Sequence, residues 1–311
     1  MKASRESVGG ESTDATDNPL VSFRGYERED GSLGIRNHVL VLPSVICSHV
    51  VADRIAQQVT RAKSAPHDHG GAQLGRDNDQ TERAFIGTAT NPNVAGTLVV
   101  GLGCEHVRSH EVAEQLHDRD ERVEELVIQE EGGTDRTIEH GVEIARDLAA
   151  DGSARETEAA LGDLTVGIVS SDLQDGTVSV ADPLVGEFVD QVVAAGGRVV
   201  AAGSERVVHH PDAVRSIVDD AALETLDALL DRHAGIPGRD TSVHRAAKTE
   251  SFSSITRAWG DRPIGEVLDY GERMEGDSGL AIIDAPSQFD EAATGLVAAG
   301  SSVLNQWAER D

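Results

Sequence analysis

The chain has 311 residues, with 27 Lys and Arg against 55 Asp and Glu, for a net charge of −28. That field repels nucleic acid and anionic membrane, so neither is expected as a partner. Two cysteines, Cys47 and Cys104, make no disulfide framework, and no apolar run reaches the roughly 18 residues of a membrane span.

The acid is dispersed along the chain, and aromatic residues make up only 3% of it. This composition points to a salt-rich cytoplasm such as a halophile's, where screening relieves self-repulsion. An anionic substrate then needs a locally positive site or a metal. The first residues, 1–22, lack the apolar region of a signal peptide and read as a disordered polar tail.

HVLVLPSV (38–45) predicts a buried strand, and residues 47–62 carry helical spacing. TLVVGLG (97–103) is a second strand, with a helix over HVRSHEVAEQLHD after it. ELVIQE (125–130) is a third, followed by a helix capped at Thr134 or Asp135. Further on, LTVGIVSS (164–171) leads to a helix that opens at Pro183, and RVVAAGS (198–204) to a helix over about 212–233. LAIIDAP (280–286), a helix over EAATGLVAAG and a last strand at SSVLNQ complete the pattern.

Alternating strands and helices predict an α/β fold of two Rossmann-like lobes, with mainly parallel sheets covered by helices. The acidic stretch 151–163 reads as the joint between a lobe at 23–152 and a lobe at 153–311, and 234–251 as a second break. Ligands of such sheets sit beyond the carboxyl ends of the strands. That directs attention to 44–49, 101–106, 129–135, 170–176 and 204–210.

Four constellations carry chemistry. GYEREDGSLGIRN (25–37) holds Arg28, Asp30, Arg36 and Asn37; it is either a polar loop leading into the strand or an arginine fork for a carboxylate. GLGCEH offers Cys104, Glu105 and His106, for a metal, a ligand or a helix cap. EEGGTDRTIEHG sets Glu131, Thr134 and Asp135 around two glycines at a helix start, which suits an anion or makes an ordinary turn. PHDHGG places His67 and His69 two apart, on one face only if the segment is extended.

In series these stretches resemble the altronate/galactarate dehydratase family. GYEREDGSLGIRNHVLVLPSVICS is similar to the opening of its catalytic part, HDHGGAQLG…NPNVAGTLVVGLGCE to its second signature and QEEGGTDRTIEHG to its third. SSDLQDGTVSVADPLVGEFVDQVVAAGGRVV and GLAIIDAPSQFDEAATGLVAAGSSV resemble later blocks, so the likeness covers about 23–304. It differs where Gly71 replaces a cysteine of an HxxGC motif, where VSSD (169–172) replaces a CGGSD-type block, and in lacking the Gly- and Thr-rich segment that closes the second lobe.

The resemblance implies metal-assisted dehydration of a sugar acid, altronate or a related aldonate or hexarate, to a 2-keto-3-deoxy acid. It implies a divalent metal, Fe2+ or Mn2+, and a large subunit served by a separate small SAF-domain partner, with a homo-oligomer as a further expectation. His67, His69, Glu105 and Glu131 are the expected acid–base residues. Arg28, Asp30, Arg36, Asn37, Thr134, Asp135, Ser171 and Asp172 are expected on the substrate, and His67, Cys104 and Glu105 on the metal. Two other readings stay open: a non-catalytic or regulatory paralogue that binds a sugar acid or the SAF partner, and elimination of sulfite from sulfolactate on the same scaffold.

Overall fold

A computed structural model describes residues 22–73, 75–150, 155–169, 172–234, 242–268 and 274–284. In chain order the strands are β1 (Ser22–Glu27), β2 (Leu33–Gly34), β3 (His38–Pro43), β4 (Ala62–Ser64), β5 (Val94–Gly101), β6 (Val123–Val127), β7 (Arg155–Ala160), β8 (Thr165–Ile168), β9 (Arg198–Ala201), β10 (Ile264–Leu268) and β11 (Gly279–Ile283). The helices are α1 (His49–Ala56), α2 (Arg76–Ala89), α3 (Ser109–His117), α4 (Thr134–Ala150), α5 (Asp182–Ala194), α6 (Pro211–Arg215), α7 (Leu223–Ala234), α8 (Ser242–Ala247) and α9 (Phe252–Ile255).

The fold is α/β, with two four-stranded sheets ordered β4-β3-β5-β6 and β10-β11-β9-β8. All pairings within both are parallel. In the first sheet, alternate residues of the central strands supply opposite faces. Val39, Val41, Leu98 and Val100 pack with Ile55 of α1 and Ile138 and Val142 of α4. Leu40, Leu42 and Val99 pack with Phe85 of α2 and Val112 and Leu116 of α3. Each such side chain contributes about 1.5–3 kcal/mol of burial. In the second sheet, Val199, Ala201, Leu280 and Ile282 meet Val189 of α5, Leu226 of α7 and Trp259.

A third sheet, β2-β1-β7, is antiparallel throughout and was not expected from the pattern. It takes β1 and β2 out of what reads as a loop, and β7 out of the stretch that reads as a joint. The helix expected over 212–233 is broken into α6 and α7, because Val218 leaves the helix and bridges to Ile264. The helix and strand expected after 286 lie outside the described residues. Among the described residues no helix is long and apolar enough to cross a membrane.

In the second lobe, Arg206 ties three segments together from a fully buried position. It donates to the Asp182 carboxylate at 3.1 Å, to the Ile255 carbonyl at 3.0 Å and to the Asp172 carbonyl at 2.8 Å.

Candidate functional site

Strand order reverses in the first sheet between β3 and β5, since β4 lies on one side of β3 and β6 beyond β5. The carboxyl ends of that pair form the crevice where such sheets bind ligands. Ser44 follows β3 directly and Glu105 follows the end of β5. The Ser44 hydroxyl donates to Glu105 Oε1 at 3.0 Å. Glu105 Oε2 accepts the backbone N–H groups of Leu102, Gly103 and Cys104, at 3.2, 2.7 and 2.9 Å. Burial raises the Glu105 carboxyl, but hydrogen bonds from the Gly103 and Cys104 backbone and from Ser44 outweigh it and hold the group below the usual carboxylate range.

The HDHGG loop that follows β4 docks on this knot. Ile46 N–H donates to the His69 carbonyl at 2.9 Å, and His106 N–H to the Gly70 carbonyl at 3.2 Å. Gly70 has φ +87°, and a Cβ there would stand 1.9 Å from the Ser44 carbonyl oxygen. Only glycine combines that backbone conformation with so close an approach. Gln73 fixes the loop from the other side, accepting Gly70 N–H at 2.9 Å and the Thr81 hydroxyl at 3.0 Å.

His67 is 3% exposed. Its Nε2 donates to the Pro43 carbonyl at 2.6 Å, and its Nδ1 accepts His69 N–H at 3.1 Å. Burial is the main cause that pushes its pKa down to about 4, so the ring is neutral. His69 is partly exposed, with its ring stacked 6.2 Å from that of His67. The two imidazoles therefore differ in kind: one is locked in the interior, and the other is open at the edge.

The same edge continues to β6. Ile128 N–H donates to the Gly101 carbonyl at 3.0 Å and Gln129 N–H to Leu102 at 3.3 Å. Gly132 and Gly133 take φ of +85° and +116° and turn the chain into α4, which begins at Thr134. Thr134 and Asp135 are exposed on that first turn. Glu131 pairs with His140 at 3.1 Å. His67, His69, Cys104, Glu105, Glu131, Thr134 and Asp135 thus share one edge of one sheet.

Arg28, Asp30, Arg36 and Asn37 do not join them. They precede β3 and stand at its amino end, a strand length of roughly 20 Å away. Arg28 is a brace there, donating to the Pro92 carbonyl at 2.6 Å, Asn37 Oδ1 at 2.9 Å and the Arg36 carbonyl at 3.1 Å. Arg36 donates to the Ile35 carbonyl at 3.1 Å. Asp30 lines a cleft of about 700 Å³ with Arg83, Gln115 and Arg119, beside the ends of α2 and α3. Asp172 lies beyond β8 in the second lobe, accepting the Thr177 hydroxyl at 2.6 Å and Gln174 N–H at 3.0 Å. Those two bonds, Thr177 first, lower its carboxyl. Ser171 lies outside the described residues.

The expected metal donors do not fit an ion as arranged. Both ring nitrogens of His67 are engaged in hydrogen bonds, which leaves Glu105 Oε1, accepting only the Ser44 hydroxyl, and the exposed Cys104 thiol, two donors rather than three. Among the described residues no group of three or more His, Cys, Asp or Glu is placed to hold a metal. Ser44, Gln73 and Thr81 had no assigned role in the sequence. The available signal was positional, since Ser44 and Glu105 follow adjacent apolar strands.

Residues 25–153 match the model of the second domain of D-galactarate dehydratase/altronate hydrolase. The chain is 28% identical to an altronate dehydratase of Bacillus subtilis, over 91% of this chain and 61% of that protein. It is 28% identical to an altronate dehydratase of Escherichia coli, over 90% and 61%. It is 29% identical to a (2R)-sulfolactate sulfo-lyase subunit beta of Chromohalobacter salexigens, over 86% and 69%. The chain therefore spans about 61% of the length of the two altronate dehydratases it matches. These relatives are lyases by name.

Proposed function

We propose that this chain, a member of the altronate/galactarate dehydratase family, is the large subunit of a lyase that removes water from a sugar acid. The observation that carries this reading is the docking of the HDHGG loop on the Ser44–Glu105 knot, at the crevice between β3 and β5. The substrate is altronate or a related aldonate or hexarate. The C2–H and C3–O bonds break, water leaves, and the resulting enol ketonises to a 2-keto-3-deoxy acid.

His69 is the proton carrier in this scheme, because its imidazole is partly exposed at the crevice, where a bound substrate can reach it. His67 holds the backbone at His69 in place, its Nδ1 accepting the His69 N–H at 3.1 Å. Glu105 shapes the loop, since its oxygens already accept four hydrogen bonds. The turn into α4 at Thr134 faces the substrate carboxylate, where a helix start favours an anion. Glu131, paired with His140, is the second acid–base candidate. The proton transfers fall to the chain's own side chains, because the His, Cys, Asp and Glu of the described residues form no group of three placed to hold a metal. A SAF-domain small subunit is the proposed partner.

Elimination of sulfite is the second reading, favoured by the 29% identity to the sulfolactate sulfo-lyase subunit. One assay in molar salt tests both, with and without Fe2+ or Mn2+ and with a co-expressed SAF-domain protein. It follows 2-keto-3-deoxy acid from altronate and galactarate, and sulfite from 3-sulfolactate. Dehydration that falls at least about 100-fold in His69→Ala supports the first reading. Sulfite release alone establishes the second. No turnover by folded protein overturns both and leaves a binding paralogue.

A further inference from the structure

Most helices of this acidic chain face solvent with charge. α4 exposes Asp135, Arg136, Glu139, Glu143, Arg146 and Asp147, and α7 exposes Glu224, Asp227, Asp231 and Arg232. α5 does not. Its exposed positions, with the π-helical turn Thr177–Ala181 that precedes it, include Val180, Ala181, Leu184, Phe188, Gln191 and Ala194, and one carboxylate, Glu187. Val180 is 70%, Leu184 72% and Phe188 41% exposed. Positions four apart share a helix face, so these three form one stripe.

We propose that this stripe is a two-fold interface with a second copy of the same chain, with Leu184 on the axis. The spacing is palindromic about Leu184. An antiparallel helix pair brings Val180 of one copy against Phe188 of the other, twice, and Leu184 against itself. A two-fold contact requires such self-complementarity. The same operation sets Glu187 against Ala181 and Gln191 against Thr177, so no carboxylate of the stripe meets its own image. That matters for two partners that each carry a net charge of −28. A basic partner would be drawn to the acidic faces, whereas a like-charged copy needs a face with little charge. Apolar contact also persists in the high salt that weakens ionic pairing.

The test is sedimentation of the full chain in molar salt, with its far-UV spectrum and melting curve as folding controls. The wild type is expected as a dimer, and Leu184→Glu as a folded monomer with a dissociation constant raised at least about 100-fold. Leu184→Lys behaves the same way. Leu184→Cys, in a chain with Cys47 and Cys104 replaced by Ala, is expected to cross-link to its own copy under mild oxidation, because only a residue on the axis meets its counterpart. A monomeric wild type at about 100 µM overturns the proposal, as does a dimer that Leu184→Glu leaves intact. A wild-type dimer whose Leu184→Cys form does not cross-link overturns the placing of Leu184 on the axis. These readouts do not depend on catalysis, so they stand or fall separately from the proposed reaction.

Discussion

Protonating His67 breaks the hydrogen bond that its Nδ1 accepts from His69 and places a charge in the interior. The ring titrates at about 4 in the fold, against an ordinary 6.5 in the unfolded chain. Between those values the unfolded state binds the extra proton. The group's contribution is thus fully present above pH 6.5 and is lost as pH falls toward 4, on the order of 3 kcal/mol in all. Glu105, and Asp284 after β11, add acid lability of the same sign at lower pH: burial raises the Asp284 carboxyl, but hydrogen bonds from His233 at 2.7 Å and Arg232 at 3.0 Å outweigh it and hold it, like Glu105, below the usual carboxylate range. Denaturant midpoints at pH 7 and pH 5 check this. The wild type loses stability over that interval, and His67→Gln, which keeps a donor toward Pro43, shows a flatter dependence from a lower starting value. An equally steep loss in the variant would rule His67 out as the source.

At the level of the elements, the HDHGG loop rests on Gly70. Gly70→Ala puts a Cβ 1.9 Å from a backbone oxygen on a residue that already holds φ at +87°. It is expected to cost at least about 1–2 kcal/mol from the backbone conformation alone, and more from displacement of the loop. Gly71→Ala, next to it, meets nothing within 4 Å and is expected to be nearly neutral. Melting curves of the two variants separate the cases. The central strands β3 and β5 were legible because both faces are buried and the runs are continuously apolar. β1 and β7 were not. SFRGYE and RETEAA carry no apolar run, and each is a strand because the other pairs with it from more than a hundred residues away. The candidate site was legible in part as a set of strand ends, which brought out Glu105 and Thr134, whereas His67 came from the HDHGG pattern and the resemblance, because the short β4 before it carries no strand signal. Arg28 and Asn37 were drawn in by nearness to β3 in sequence, although the residues before a strand lie at its far end. The Ser44–Glu105 bond depends on side-chain geometry, which no periodicity records.

At the level of the whole molecule, a net charge of −28 makes self-repulsion a standing opponent of the fold. Salt screens it, so the melting temperature is expected to rise between 0.1 and 2 M salt, by roughly 2–4 °C for each kcal/mol recovered. A flat or falling curve would count against salt adaptation. The β1–β7 pairing reaches further still. Glu27 lies beside Arg155 and Ser22 beside Ala160, so the segment between them leaves and returns at one spot. The residues matched by the family model, 25–153, fall almost on that closure. A stretch whose two ends meet is a cassette: lifted out, it leaves a gap that a short turn can bridge, and set into another chain, it needs only one point of entry. The paired strands β1 and β7 thus give the segment between them a single point of attachment to the rest of the chain.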